Sequence, residues 1–176
     1  MLKLKYITLL IFSVLIIFAC CKKKKNEPTP NADDIVSAKI DGVYFQNCQP
    51  SSWGHPSLGA QYFVGYYLDI DGQNICSNTS NYGLGIYLKI NGINQTGTYL
   101  LGDSSINVGL CYDNNTSPAT KYTTDSIHKG SVTFTKFDTT ARRISGTFYF
   151  DAIDTATKKV VKVTEGKLSN VEYLKF

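Results

Sequence analysis

Histidine occurs only twice in the 176 residues, as His55 and His128, and tryptophan only once, as Trp53. Each histidine sits in a turn-like stretch with no neighbouring metal-binding or catalytic motif. The chain has no His-Glu-x-x-His, no Gly-x-Ser-x-Gly and no glycine loop that would cradle phosphate. Known routes to zinc hydrolysis, serine catalysis and nucleotide binding therefore lack their local signatures, and no catalytic residue, metal or cofactor is expected. A surplus of basic charge is also missing from the body of the chain. Six of the 18 Lys and Arg precede Asn26, which leaves 12 against 14 Asp and Glu. A nucleic-acid partner is not expected, because phosphate neutralisation needs a basic face. Nor does a sustained helical period occur after the first segment, which turns attention to strands.

The one long apolar run is at the start. Lys3 and Lys5 precede an apolar stretch from Ile7 to Ala19, the charged and apolar regions of a secretory signal. A spanning helix needs about 20 apolar residues, so export with cleavage is expected over a retained anchor. Ile17-Phe-Ala-Cys20 resembles a bacterial lipobox, which makes Cys20 the expected lipidated residue and ranks Cys21 behind it. Acyl chains on Cys20 would hold the chain to a membrane at about 0.8 kcal/mol per buried CH₂. Lys22 to Lys25 either add attraction to anionic headgroups or form a solvated spacer. The proline-bearing stretch up to Asp34 reads as a tether. The expected organisation is a lipoprotein signal over 1–19, a lipidated Cys and tether over 20–34, and one β-domain over 35–176.

Within that domain Ile144, Gly146, Phe148, Phe150 and Ala152 alternate with Ser145, Thr147, Tyr149 and Asp151, the period of a half-buried strand. Strands are expected on both sides, over Ser131–Phe137 and from Lys159 onward, as a C-terminal three-stranded meander. Val161 and Val163 are two apart but Leu168 lies five beyond, so a bulge is expected at Gly166. Asp41-Gly42, Asp71-Gly72 and Asn91-Gly92 each follow an isoleucine and read as hairpin turns. One strand is expected from Ala60 to Ile70, one over Gly83–Ile90, and one marked by Ile106, Val108, Leu110 and Tyr112. Together these give an all-β, mainly antiparallel sandwich or incompletely closed barrel of about eight to ten strands.

Ala38-Lys-Ile-Asp-Gly42, Gly97-Thr-Tyr99, Gly130-Ser-Val-Thr-Phe134, Ile144-Ser-Gly-Thr-Phe148 and Thr164-Glu-Gly166 resemble, in this order, a family of small Bacteroidetes lipoproteins of unknown function. The likeness covers nearly all of the chain after the leader. It implies a secreted β-domain on a lipid anchor, and its motifs are strand-and-turn motifs that imply no activity. For such a source, Asp125-Ser-Ile127, Asp138-Thr-Thr140 and Asp154-Thr-Ala156 resemble acceptors for O-glycans, at Ser126, Thr139 and Thr155. The plain reading of the same triplets is turn chemistry.

Cys48, Cys76 and Cys111 lie in a chain expected to be exported, where disulfides persist. Cys48 and Cys76 fall at strand margins and are the expected bridge, with Cys111 inside a strand; a zinc site formed with His55 is the alternative. Trp53 and His55, in a loop rich in Gly, Ser and Pro, are the candidate ligand contacts. Asp69 and Asp71 share a strand face, but the glycine spacing of a calcium loop is missing, and Asp71 is ascribed to its turn. The expected role is a lipid-anchored protein of the cell envelope, at the outer membrane with the face unassigned, carrying a non-catalytic binding or structural domain. Its expected partners are the membrane, reached through Cys20, and a glycan or an envelope protein. Glycan or small-molecule capture by an aromatic platform is the second reading. A hydrolase using His128 with an aspartate is the third.

Overall fold

A computed structural model describes residues 36–48, 58–76, 83–102 and 106–176. These residues form twelve strands and no helix. The first four are β1 (Val36–Ile40), β2 (Val43–Gln46), β3 (Leu58–Phe63) and β4 (Tyr67–Gln73). Then come β5 (Leu84–Asn91), β6 (Gly97–Leu101), β7 (Val108–Asp113) and β8 (Thr120–Thr123). The chain finishes with β9 (Gly130–Asp138), β10 (Arg143–Ile153), β11 (Val160–Glu172) and β12 (Leu174–Lys175).

β9, β10 and β11 are the expected meander, paired antiparallel through turns at 139–142 and 154–159. Ile144, Gly146, Phe148, Phe150 and Ala152 are buried, whereas Thr147 and Tyr149 are exposed. The edge of β10 is shared. Residues from Arg143 to Phe150 pair with β9, and Ile153 at its tip pairs with Thr123 of β8. From that fork the sheet runs one way through β8, β7, β5, β4 and β3, and the other through β11, β1 and β2. β6 adds to the free side of β9. The result is a curled, mixed sheet, a half-barrel in which all strand pairs are antiparallel except β12 with β3.

Two seams link its flanks. β12 continues from β11 and pairs with β3, and Phe176 stacks on Phe63 with ring centroids 5.0 Å apart. On the other flank Cys48, just past β2, bridges Asn74 at the end of β4, with Cys48 N–H donating to the Gln73 carbonyl at 2.9 Å. Among the described residues, large side chains pack into the space enclosed. Phe45, Phe134, Phe150 and Tyr173 are at most 1% exposed. Tyr62 meets Phe137 edge-on at 5.3 Å and donates from its hydroxyl to the buried Ile93 carbonyl at 3.0 Å.

Several expectations need correction. The single strand expected from Ala60 to Ile70 is the hairpin of β3 and β4, with a turn over Val64, Gly65 and Tyr66. Tyr62 pairs with Leu68 and Ala60 with Ile70, so residues of the same parity face inward on both sides of the turn. An alternation of period two runs through such a hairpin without a break. Asp71-Gly72 is not a turn but lies within β4. A Cβ on Gly72 would stand 3.1 Å from the Cβ of Val36 on β1, so this glycine allows two strands to approach. Asp41-Gly42 is the expected tight turn, with φ of +49° and +81°, and Asn91-Gly92 ends β5. On β7 the inward residues are Gly109 and Cys111, whereas Val108, Leu110 and Tyr112 face outward. The Phe150 ring fills the space inside Gly109, 2.9 Å from where a Cβ would stand. The bulge returning Leu168 to the core centres on Glu165, at φ +53°, rather than on Gly166. Gly166 is small because Phe148 packs against it.

Candidate functional site

The spacing of inward residues on β11 is Val161, Val163, Gly166, Leu168, Val171. Each step of three marks an extra residue on one strand of the pair. Phe148 lies opposite Gly166 and Phe150 opposite Val163, so β11 spends three steps where β10 spends two. Thr164 and Glu165 therefore both stand opposite Tyr149. Glu165 takes a left-handed conformation, uncommon for a residue with a side chain, and Lys39 Nζ holds its carboxylate at 3.0 Å.

At this bulge a hollow of about 360 Å³ lies on the outer face of β9, β10 and β11. Ser131, Thr133, Thr147, Tyr149, Glu165 and Lys167 line it, with Phe148 and Gly166 beneath. The register explains the grouping. Tyr149 pairs with Ser131, and Thr147 with both Thr133 and Lys167. Thr133 continues to Thr98 on β6, hydroxyl to hydroxyl at 2.8 Å. Tyr149 is 59% exposed and stands among hydroxyls that donate and accept. The arrangement suits reversible binding of a polar molecule.

A second outward cluster lies on β4, β5 and β7. Gly85 has no side chain, so the Tyr112 ring crosses β5 above it and its hydroxyl donates to Asp71 Oδ1 at 2.6 Å. Gln73 Nε2 donates to the other carboxylate oxygen at 3.1 Å. Burial, with the Asp71 hydrogen bond second, pushes the Tyr112 phenol far up. Burial and then Asp69 push Tyr87 up to about 12. Asp69 faces Lys89 across the strands, yet burial raises its carboxyl above the ordinary value. Both carboxylate oxygens of Asp71 are thus engaged by neighbouring side chains.

Of the residues singled out from sequence, Cys20, Trp53 and His55 lie outside the described residues. Cys48 and Cys76 form a disulfide with Cα atoms 5.6 Å apart. Two bridged sulfurs are not thiolate ligands, so the zinc alternative does not fit. Cys111 is a buried free thiol, pushed up to about 12 by burial. Among the described residues no three of His, Cys, Asp and Glu gather into a metal-binding group.

His128 does have an aspartate partner, but a local one. Its Nδ1 lies 3.0 Å from Asp125 Oδ1, which also accepts the backbone N–H groups of Ile127 and His128. That carboxylate caps a turn. The same device recurs twice. Asp138 Oδ1 accepts from Thr140 and Ala141 N–H, and Asp154 accepts from Ala156 N–H and the Thr157 hydroxyl and N–H. In all three the residue after the aspartate, Ser126, Thr139 or Thr155, is exposed. Sequence reasoning missed the hollow. Its signal was the five-residue interval from Val163 to Leu168, together with a tyrosine on the solvent side of the paired strand.

No curated protein and no solved structure matches the chain. The model of a domain of unknown function, DUF6252, matches residues 67–172, from the start of β4 to the end of β11. The match takes in more than half of the chain and all three strands around the hollow, and the chain belongs to the DUF6252 family.

Proposed function

We propose that the chain is a lipoprotein of the cell envelope, held at the outer membrane by lipid on Cys20, whose β-domain binds a partner without catalysing a reaction. The leader and the lipobox-like Ile17-Phe-Ala-Cys20 support the anchor, as does the likeness to Bacteroidetes lipoproteins. The observation that carries the binding role is the filled interior. Phe45, Phe134, Phe150 and Tyr173 pack with almost no exposure, so a partner meets the domain on the outside of its strands, where Tyr149 stands in a hollow. Trp53 and His55 are a second candidate contact. Ser126, Thr139 and Thr155 are proposed to carry O-glycans, a reading supported by their exposure beside turn-capping aspartates.

Expression in the native host with metabolic fatty-acid labelling tests the anchor. Cys20→Ser should abolish labelling and release the chain from membranes, while Cys21→Ser leaves both unchanged. Labelling that survives Cys20→Ser refutes the assignment. Intact mass of the host-purified chain reads lipid and hexose separately.

A further inference from the structure

The hollow beside Tyr149 has a chemistry that narrows its occupant. We propose that it is a saccharide site, with the Tyr149 ring as the stacking surface and Ser131, Thr133, Thr147, Glu165 and Lys167 as the hydrogen-bonding rim. This deepens the binding role proposed above and rests on it.

A sugar ring offers hydroxyls that both donate and accept, set around a face of C–H groups. The hollow answers each part. Three hydroxyl side chains line it, so either direction of hydrogen bond can be met at the same position. The exposed tyrosine ring supplies a flat apolar surface with a polar tip. Its volume of about 360 Å³ is at the small end of the roughly 300–1,000 Å³ typical of ligand sites. That is room for a small unit rather than a protein segment.

The charges around the hollow are mixed in sign. Glu165 and Lys167 offer one carboxylate and one ammonium, and Lys39 sits against the carboxylate at 3.0 Å. A phosphate or polyanion would meet Glu165 directly, whereas neutral hydroxyls can use both charged groups as strong hydrogen-bond partners. The backbone points the same way. Glu165 is held at φ +53° within a bulge, and such positions gather at ligand sites because they re-aim side chains. Here the bulge leaves Tyr149 without a one-to-one partner on β11, while Ser131 pairs with it on β9. The backbone beneath is paired strand on β9, β10 and β11, which fixes the spacing of these residues before a ligand arrives.

The test titrates the full chain with galactose, mannose, N-acetylglucosamine and their short oligomers, following backbone amide signals by nuclear magnetic resonance. Saturable changes should appear at Ser131, Thr147, Tyr149 and Lys167 with at least one of these sugars. Tyr149→Ala should weaken that binding about tenfold or more, as expected for an aromatic anchor, while Tyr149→Phe retains most of it. Tyr66→Ala removes another exposed tyrosine, at the β3–β4 turn, and should change nothing. Lys167→Ala, an exposed rim position, is the second probe and should also weaken binding if Tyr149→Ala fails to fold.

No saturable change with any of the sugars overturns the saccharide assignment. Binding that maps elsewhere on the domain overturns the site but leaves a binding role standing. Equal affinity of wild type, Tyr149→Ala and Lys167→Ala overturns the roles given to these side chains. Capture of an envelope protein by a chain that binds no sugar would keep the broader function and discard this ligand.

Discussion

Phe148 and Thr147 are neighbours on β10 with opposite surroundings. Phe148 is 3% exposed and lies against Gly166, whereas Thr147 faces solvent. Truncating a buried phenylalanine typically costs about 3–5 kcal/mol, out of a total stability of about 5–15 kcal/mol. Phe148→Ala should therefore lower the denaturant midpoint sharply and Thr147→Ala only slightly. Equal losses would mean that both faces of β10 are covered.

The three capped turns predict an acid response. N–H donors hold the carboxyl of Asp125 (chiefly the His128 amide) and of Asp138 (chiefly the Ala141 amide) below its ordinary value. The Thr157 hydroxyl does most of this for Asp154. A carboxyl depressed in the folded state contributes stability above its unfolded pKa, and that contribution is lost as pH falls through the folded value. Midpoints measured between about pH 6 and about pH 2 should fall less for the triple Asp→Asn chain than for wild type, since asparagine still caps turns but does not titrate. Asp69 has the opposite sign. Burial raises it, so its ionised form costs stability above the folded pKa, and Asp69→Asn should raise the midpoint at neutral pH.

At the scale of elements, the ends of β2 and β4 are joined by one bridge, made of two backbone hydrogen bonds, and by a disulfide. Cys48 N–H donates to Gln73, and Ile75 N–H donates back to Cys48, each at 2.9 Å. Cys48 and Cys76 are 28 residues apart in sequence. Removing a bridge over a loop of this order costs about 2–4 kcal/mol, so a Cys48→Ala, Cys76→Ala chain should melt earlier. Peptide mapping without reductant should find these two cysteines joined and Cys111 alone. Alkylation of Cys111 should be slow until the chain unfolds, because its thiol is buried and pushed up to about 12. Rapid modification in the native protein would contradict the inward placement of that side of β7.

At the scale of the molecule, the flanks of the half-barrel meet through very little chain. β12 contributes two residues to a parallel pairing, at Gln61 and Tyr62, and Phe176 N–H donates to the Tyr62 carbonyl at 3.0 Å. Leu174 and Phe176 remain more than half exposed, while Tyr173 just before them is buried beside Phe137 and Tyr62. Deleting residues 174–176 should thus loosen the β3 edge, seen as faster amide exchange over Gln61–Phe63, without unfolding the meander. Extending the deletion to Tyr173 should bring a much larger loss of stability, because it empties a buried ring position.

The sequence by itself determined the local matters. Alternation at Ile144–Ala152 marked the core face of β10, Asp41-Gly42 marked a turn requiring positive φ, and the interval from Val163 to Leu168 marked an added residue. These depend on the chain within a few residues, where period and backbone sterics act. Tertiary structure decided what alternation cannot carry. The break at Gly65 is invisible because a hairpin of this register preserves parity. Gly72 and Gly109 are small because Val36 and Phe150, far along the chain, occupy the space a side chain would need. The inward face of β7 carries Gly109 and Cys111 for the same reason, since the largest residues lie inside only where the opposite strand leaves room. The hollow at Tyr149 likewise needed three strands in register before a bulge could open it, and no stretch of sequence contains that juxtaposition.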